Sequence, residues 1–284
     1  MSRARRAVHE EEVRRFERDG VVHLEAILPT EELSRMEAPL EEALRMPETT
    51  ADMTRMAEQL AASGGEALAD GEVGAETPGR FLSGVDHWRH QEAFRDFACD
   101  SALPEIAAAL MRSREVFLWE DSVLVKEPGT REPTAFHQDL SYFHVEGTQV
   151  CTFWCPLDPV DADSGAVAYV RGSHRWPELY SPNLFVSEQT IPGAEGEACH
   201  ADPTAASFRD GEREGELLRF EAEPGDVIVH HARTVHGAAG NRSATRRRRA
   251  ISVRYCGDDA RYLLRAGAPR KPHHATVRDG DRLG

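Results

Sequence analysis

Residues 116–127 read VFLWEDSVLVKE, and the class of fold turns on this run. Valine, phenylalanine and tryptophan crowd into it, side chains that suit a pleated and partly buried strand. Similar short runs follow: QVCTFWCPL at 149–157, GAVAYVRG at 165–172, DVIVHH at 226–231 and AISVRYC at 250–256, with Gly, Pro, Asp and Asn between them. Many short strands divided by turn residues indicate a β-sandwich or barrel.

Upstream the character is helical. His9 to Arg18 sets Val13 and Phe16 three apart among charges, and Asp19-Gly20 should stop that helix. A short strand, Val21 to Leu24, is expected next. Thr30 should then cap an amphipathic helix that carries Leu33, Leu40 and Leu44 and ends near Pro47. Between Thr49 and Arg80 the composition shifts to Ala, Gly, Glu and Thr, so part of this region is expected to be a mobile loop and a candidate lid. A second interruption, 176–215, is too long for a hairpin loop and is expected over the mouth of the barrel. We read residues 1–284 as a single domain carrying these two insertions.

The charge balance narrows the partners. With 34 basic and 49 acidic residues the net charge is −15, which opposes affinity for nucleic acid or an anionic membrane and favours a small-molecule substrate. No apolar stretch reaches the roughly 18–20 residues of a membrane span, and the start MSRARRAVHEEEVRRF lacks the apolar run of a signal peptide. These features read as a cytoplasmic protein; oligomeric state is not legible. The five cysteines offer no paired zinc spacing, so Cys151 and Cys155 are expected as buried or free thiols.

Chemistry is concentrated in Phe136-His137-Gln138-Asp139. Side chains alternate across a strand, so His137 and Asp139 share a face while Gln138 points away. A third ligand is available in DVIVHHARTVHGAAGN at 226–241, a strand followed by His236-Gly237 at a turn. Two histidines and one carboxylate make the facial triad of non-haem iron(II) oxygenases, which leaves coordination positions open. On composition alone, His230 and His231 compete with His236. Downstream, Ile251 and Val253 should face a packing layer, which turns Arg248, Ala250, Ser252 and Arg254 toward the interior.

In this combination the chain resembles the phytanoyl-CoA dioxygenase family, iron(II)- and 2-oxoglutarate-dependent oxygenases built on the double-stranded β-helix, a jelly-roll barrel like that of cupins. The matching text is FHQDLSYF (136–143), VCTFWCPLDPVDADSGAVAYVRGSHRW (150–176), PGDVIVHHARTVHGAAGNRS (224–243) and RRAISVRYCGDDARY (248–262), with EEEVRRFERDGVVHLEAILPTEELSRM (10–36) as the usual opening. The resemblance implies a mainly β fold with flanking helices. It makes His137 and Asp139 the proximal iron ligands and His236 the distal one. Among Arg246 to Arg249 it selects Arg248 for the far carboxylate of 2-oxoglutarate, a task that suits a guanidinium fork; the others read as a solvated charge run.

By the same resemblance Trp154 lines the cosubstrate site, with Thr152 on the same strand face; simple core packing is the competing reading of both. Lys126 and Gln138 are further cosubstrate candidates, and Tyr142, Phe143 and Arg254 are candidates for the substrate pocket. Gly172-Ser173-His174, Asp258 and Asp259 read as turn or capping residues. The implied activity is hydroxylation, or another oxygenation, of a metabolite or natural-product intermediate, consuming O2 and releasing succinate and CO2. Related halogenases carry a small residue where Asp139 stands, so chlorination is not implied. The rival classes are a cupin-type metal enzyme without 2-oxoglutarate, which would not need Arg248, and a catalytically silent β-barrel binding protein.

Overall fold

A computed structural model describes residues 4–71 and 78–283. The architecture is mainly β with helices outside it. A seven-stranded antiparallel sheet runs in the spatial order Val21–Leu24, Val227–His231, Val150–Pro156, Arg248–Cys256, Phe117–Lys126, Phe81–Val85, Thr50–Asp52. A four-stranded sheet has the order Leu217–Arg219, Val167–Val170, His236–Ala238, Thr134–His137.

The larger sheet is covered on both faces, which explains why its central strands read as almost continuous apolar runs. Cys151, Phe153, Cys155, Ile251 and Val253 point outward into a core shared with Phe16, Leu40, Phe97, Ile106 and Leu110 of the helices. Trp154, Ile228 and Ala250 point the other way and pack with Val167, Tyr169 and Ala238 of the smaller sheet. Alternation therefore sorts each strand into a packing face and a face turned to the space between the sheets. Arg248, Ser252 and Arg254 fall on the second face, as alternation predicts. The cysteines are free thiols; Cys151 and Cys155 are buried in the outer core.

The first helix spans Glu10–Asp19 and ends on Gly20, whose φ of 76° gives the left-handed cap. The strand Val21–Leu24 follows as expected. The helix expected after Thr30 is instead two, Thr30–Ser34 and Glu37–Ala43, and the residue at the first N-cap is Pro29. Pro39 has no N–H to continue the first helix but is tolerated in the opening turn of the second, hence the break.

The region 49–80 is more ordered than its composition implied. It contains the edge strand Thr50–Asp52 and the helix Met53–Ala62, which Asp52 caps by accepting from Arg55 N–H. The part of the expected lid at 72–77 lies outside the described residues. The second interruption contributes a small hairpin, Phe208–Asp210 with Arg213–Gly215, and a stretch around Tyr180–Val186 that packs on the site. Among the described residues no helix is long and apolar enough to cross a membrane.

Candidate metal and cosubstrate site

His137 closes the strand Thr134–His137 and His236 opens His236–Ala238; the two are Cα partners across the antiparallel pair. Directly opposed residues share a face, and the two imidazole centroids lie 4.3 Å apart. Asp139 follows in the 3-10 turn Asp139–Tyr142. One donor atom from each of the three lies within 4.8 Å of the others.

Backbone carbonyls orient both rings. His137 Nδ1 sits 2.8 Å from Ala135 O and His236 Nδ1 2.9 Å from Thr234 O. A carbonyl only accepts, so each Nδ1 carries the hydrogen and each Nε2 turns a lone pair toward Asp139. The Nε2 atoms are 3.4 Å and 3.7 Å from Asp139 Oδ1. Two nitrogen lone pairs facing a carboxylate oxygen repel unless a cation or a proton lies among them, and this buried donor set fits a divalent ion.

The other carboxylate oxygen is held from behind. Thr152 Oγ1 donates to Asp139 Oδ2 at 2.6 Å, His230 Nε2 lies 3.3 Å away and Arg254 Nε 4.0 Å away. Burial opposes ionisation of Asp139, but the hydrogen bond from His230 and the nearby Arg254 guanidinium favour it, and the carboxyl is held well below its usual range. Burial, reinforced by His230 and His137, holds His236 well below the usual histidine value, so its imidazole is neutral and able to ligate. His230 thus supports the carboxylate and lies outside the His137–Asp139–His236 group. His231 turns away, with Nε2 2.8 Å from Thr148 O.

The cavity beside this cluster extends to Arg248 past Thr152, Trp154, Tyr169 and Ser252. The four consecutive arginines have different fates. Arg246 pairs with Asp161, Arg247 with Glu41 and Arg249 with Asp158. Arg248, only 2% exposed, has no carboxylate partner among the described residues, and its Nε makes no hydrogen bond. Burial lowers its pKa to about 10, so it remains a cation at neutral pH. Trp154 Nε1 and Tyr169 OH are also buried without partners. Three unmet donors on one cavity, one of them charged, call for an anionic acceptor; a carboxylate fits.

Two expected cosubstrate residues lie elsewhere. Gln138 projects to the opposite side, where Nε2 donates to Arg233 O and Oε1 accepts from Tyr180 N–H; both ends are spent on structure. Lys126, the Cα partner of Arg248, is fully buried, but its ammonium donates to Ala239 O and lies over the Phe81 ring, off the cavity wall. Burial and Arg248 together hold its pKa well below the usual lysine value. Tyr142, Phe143 and Arg254 do line a common space, a second cavity that abuts Asp139.

Sequence reasoning missed His230, Tyr169 and Phe185. The first had a signal: His230 is the register partner of Thr152, so placing Thr152 inward places His230 inward too. Phe185, whose ring lies 4.9 Å from that of His137, comes from the patternless insertion and has a φ of 69°, which no local signal announces. The turn residues behave as read. Gly172 has a φ of 73°, and Ser173 Oγ donates to Val170 O and accepts from Val235 N–H. Asp258 and Asp259 accept backbone N–H groups of Arg114, Glu115, Thr148 and Gln149.

Two antiparallel sheets around a buried two-histidine, one-carboxylate group define the class of fold used by non-haem iron oxygenases. The chain belongs to the Phytanoyl-CoA dioxygenase (PhyH) family, whose profile matches residues 16–250. It is 32% identical over 151 residues to a "Probable alpha-ketoglutarate-dependent hypophosphite dioxygenase" of Stutzerimonas stutzeri, a match covering 50% of this chain and 46% of that one. The chain spans about half or less of the length of the curated relatives it matches.

Among solved structures it is similar to SnoK, a non-heme alpha ketoglutarate dependent carbocyclase from nogalamycin biosynthesis, with a TM-score of 0.66 and 23% identity, covering 100% of this chain and 96% of that one. It is also similar to the epimerase SnoN of the same biosynthesis, with a TM-score of 0.61 and 25% identity, covering 97% and 94%. The fold is the jelly roll of these oxygenases.

Proposed function

We propose that the chain is an iron(II)- and 2-oxoglutarate-dependent dioxygenase of a small organic molecule, acting as one domain in the cytoplasm. The observation that carries this reading is Arg248, a buried cation without a counter-ion among the described residues, at the far end of the cavity that holds the His137–Asp139–His236 group. A dicarboxylate with one end at the metal and the other on Arg248 answers both features.

When bound, iron(II), 2-oxoglutarate and O2 supply an oxidation that takes hydrogen from the substrate and yields succinate and CO2. The residues here bind, orient and exclude water. His137, His236 and Asp139 would hold the metal, while Thr152 and His230 lie against Asp139 Oδ2 and orient the carboxylate. Arg248 takes the far carboxylate, and Trp154 Nε1 and Tyr169 OH donate beside it. The Tyr142 and Phe185 rings lie against His137 and keep bulk water from it. Asp139 supplies a carboxylate where related halogenases carry a small residue, which favours hydroxylation or another oxygenation over chlorination.

Anaerobic titration of the chain with iron(II) and then 2-oxoglutarate tests this reading. We expect a weak visible charge-transfer band in the wild type that Arg248→Ala abolishes. No band in folded, metal-loaded wild type would overturn it.

A further inference from the structure

We propose that the second cavity selects an uncharged substrate, an apolar or aromatic body bearing carbonyl or ether oxygens, with Arg254 and His274 as the donors that recognise those oxygens. This rests on the reading above for which cavity the substrate enters. The cavity adjoins Asp139 and is walled by Met53, Trp119, Tyr142, Phe143 and Phe185, so most of its contact is apolar and aromatic.

Several polar groups of that wall are already satisfied. Lys271 Nζ pairs with Glu120 Oε2 at 2.7 Å and with Asp86 Oδ1 at 2.8 Å. Tyr142 OH donates to Asn183 Oδ1 and accepts from Asn183 N–H. Two donors, both on side chains more than nine-tenths buried, are not satisfied. Arg254 spends Nη1 on Ser122 Oγ at 2.6 Å, but its Nε makes no hydrogen bond; Glu120 Oε1 and Asp139 Oδ2 each stand 4.0 Å away, too far for one. His274 Nδ1 accepts the Lys271 backbone N–H at 3.0 Å. Burial, with His273, His144, Lys271 and Arg270 nearby, pushes the His274 pKa down to about 4. The ring is therefore neutral with its hydrogen on Nε2, and that atom has no partner among the described residues.

Unmet buried donors call for an acceptor, and the surrounding charges decide its kind. An anion on these donors would stand beside Glu120 and Asp139. A cation would stand beside Arg254 and Lys271, and would find Glu120 already paired. A neutral oxygen answers the donors and leaves the ion pairs intact. Arg254 lines both cavities, so an oxygen held there also fixes the substrate beside the metal group. The Trp119 indole stacks on His274, with planes 20° and centroids 5.9 Å apart, and gives an aromatic body a flat wall next to the donor. His274 lies in the 3-10 turn Pro272–Ala275 near the end of the chain, separate from the strands that carry the metal group.

Calorimetry with three probes of similar shape tests this: 4-methoxyacetophenone, 1-(4-methoxyphenyl)ethylamine and 4-methoxybenzoate, titrated into the full chain with and without iron(II) and 2-oxoglutarate under anaerobic conditions. We expect the ketone to bind most tightly. His274→Asn keeps an acceptor for the Lys271 N–H but removes the Nε2 donor, whereas His274→Gln restores a donor near Nε2 and gives up that acceptor. The Asn variant should weaken the ketone about fivefold and the Gln variant less than about twofold; a merely structural histidine would give the reverse order. Arg254→Met should weaken the ketone and not the amine. Far-UV circular dichroism and metal binding at the His137–Asp139–His236 group check that each variant is folded. Binding of either charged probe as tight as that of the ketone, no ketone binding at millimolar concentration, an unchanged His274→Asn, a His274→Gln as weak as His274→Asn, or an unchanged Arg254→Met would each overturn the proposal. Because the probes report on the cavity without turnover, loss of the charge-transfer band would remove the oxygenase reading and leave this result standing.

Discussion

Arg246, Arg247, Arg248 and Arg249 are identical in side chain and adjacent in sequence, yet three pair with carboxylates and one is buried alone. Alternation turned Arg248 inward and Arg249 outward, because a strand can turn only every second residue inward, and the resemblance chose Arg248 over Arg246. Truncating one partner of a buried charge pair costs about 2–5 kcal/mol. Arg248→Ala should therefore weaken 2-oxoglutarate about 30-fold or more, measured by the charge-transfer titration. Thr152→Ala removes the 2.6 Å bond that orients Asp139; loss of such a supporting partner costs about 10–100-fold in metal affinity, and an iron(II) or cobalt(II) titration should show it. The side chains of Gln138 and Lys126 are claimed by the carbonyls of Arg233 and Ala239, partners that spacing, which reports only a face, cannot reveal.

At the scale of elements, the pair that joins His137 to His236 depends on a glycine. A Cβ at Gly237 would meet Thr134 O at 2.9 Å and the Phe136 ring at 3.1 Å, backbone and core atoms that cannot easily give way. The pairing also shifts register between His236 and Ala238, a bulge next to the paired histidines. Gly237→Ala should cost about 1–3 kcal/mol of stability, measured by urea unfolding, and should weaken metal binding as well. Gly20 was legible as a helix stop, but its second constraint was not: a Cβ there would run into the His174 ring and Thr234 Oγ1, contacts far off in the sequence. The helix break at Pro39 was legible in principle; the apolar spacing of Leu33, Leu40 and Leu44 concealed it.

For the whole molecule, buried histidines set the response to acid. His87 has no exposed surface, and burial pushes its imidazole down to about 4 from the usual 6.5. Between those values the unfolded chain binds the proton and the folded chain refuses it, so stability rises with pH and is lost as pH falls from about 6.5 toward about 4. The slope from this one group approaches about 1.4 kcal/mol per pH unit. His231, whose imidazole burial also pushes down to about 4, adds to it in the same direction. Urea unfolding across that window should show the loss, and His87→Phe should flatten it. The β class, the first helix and strand, the inward arginine and the His137–Asp139 pair were all legible in the sequence, because each follows from a period of two or from a local stop signal. Tertiary structure alone decided the rest. Strand register set His230 behind Asp139 beside Thr152, and Phe185 was brought to His137 by a segment without periodicity. Such outcomes depend on which distant groups meet, and a local pattern cannot encode that.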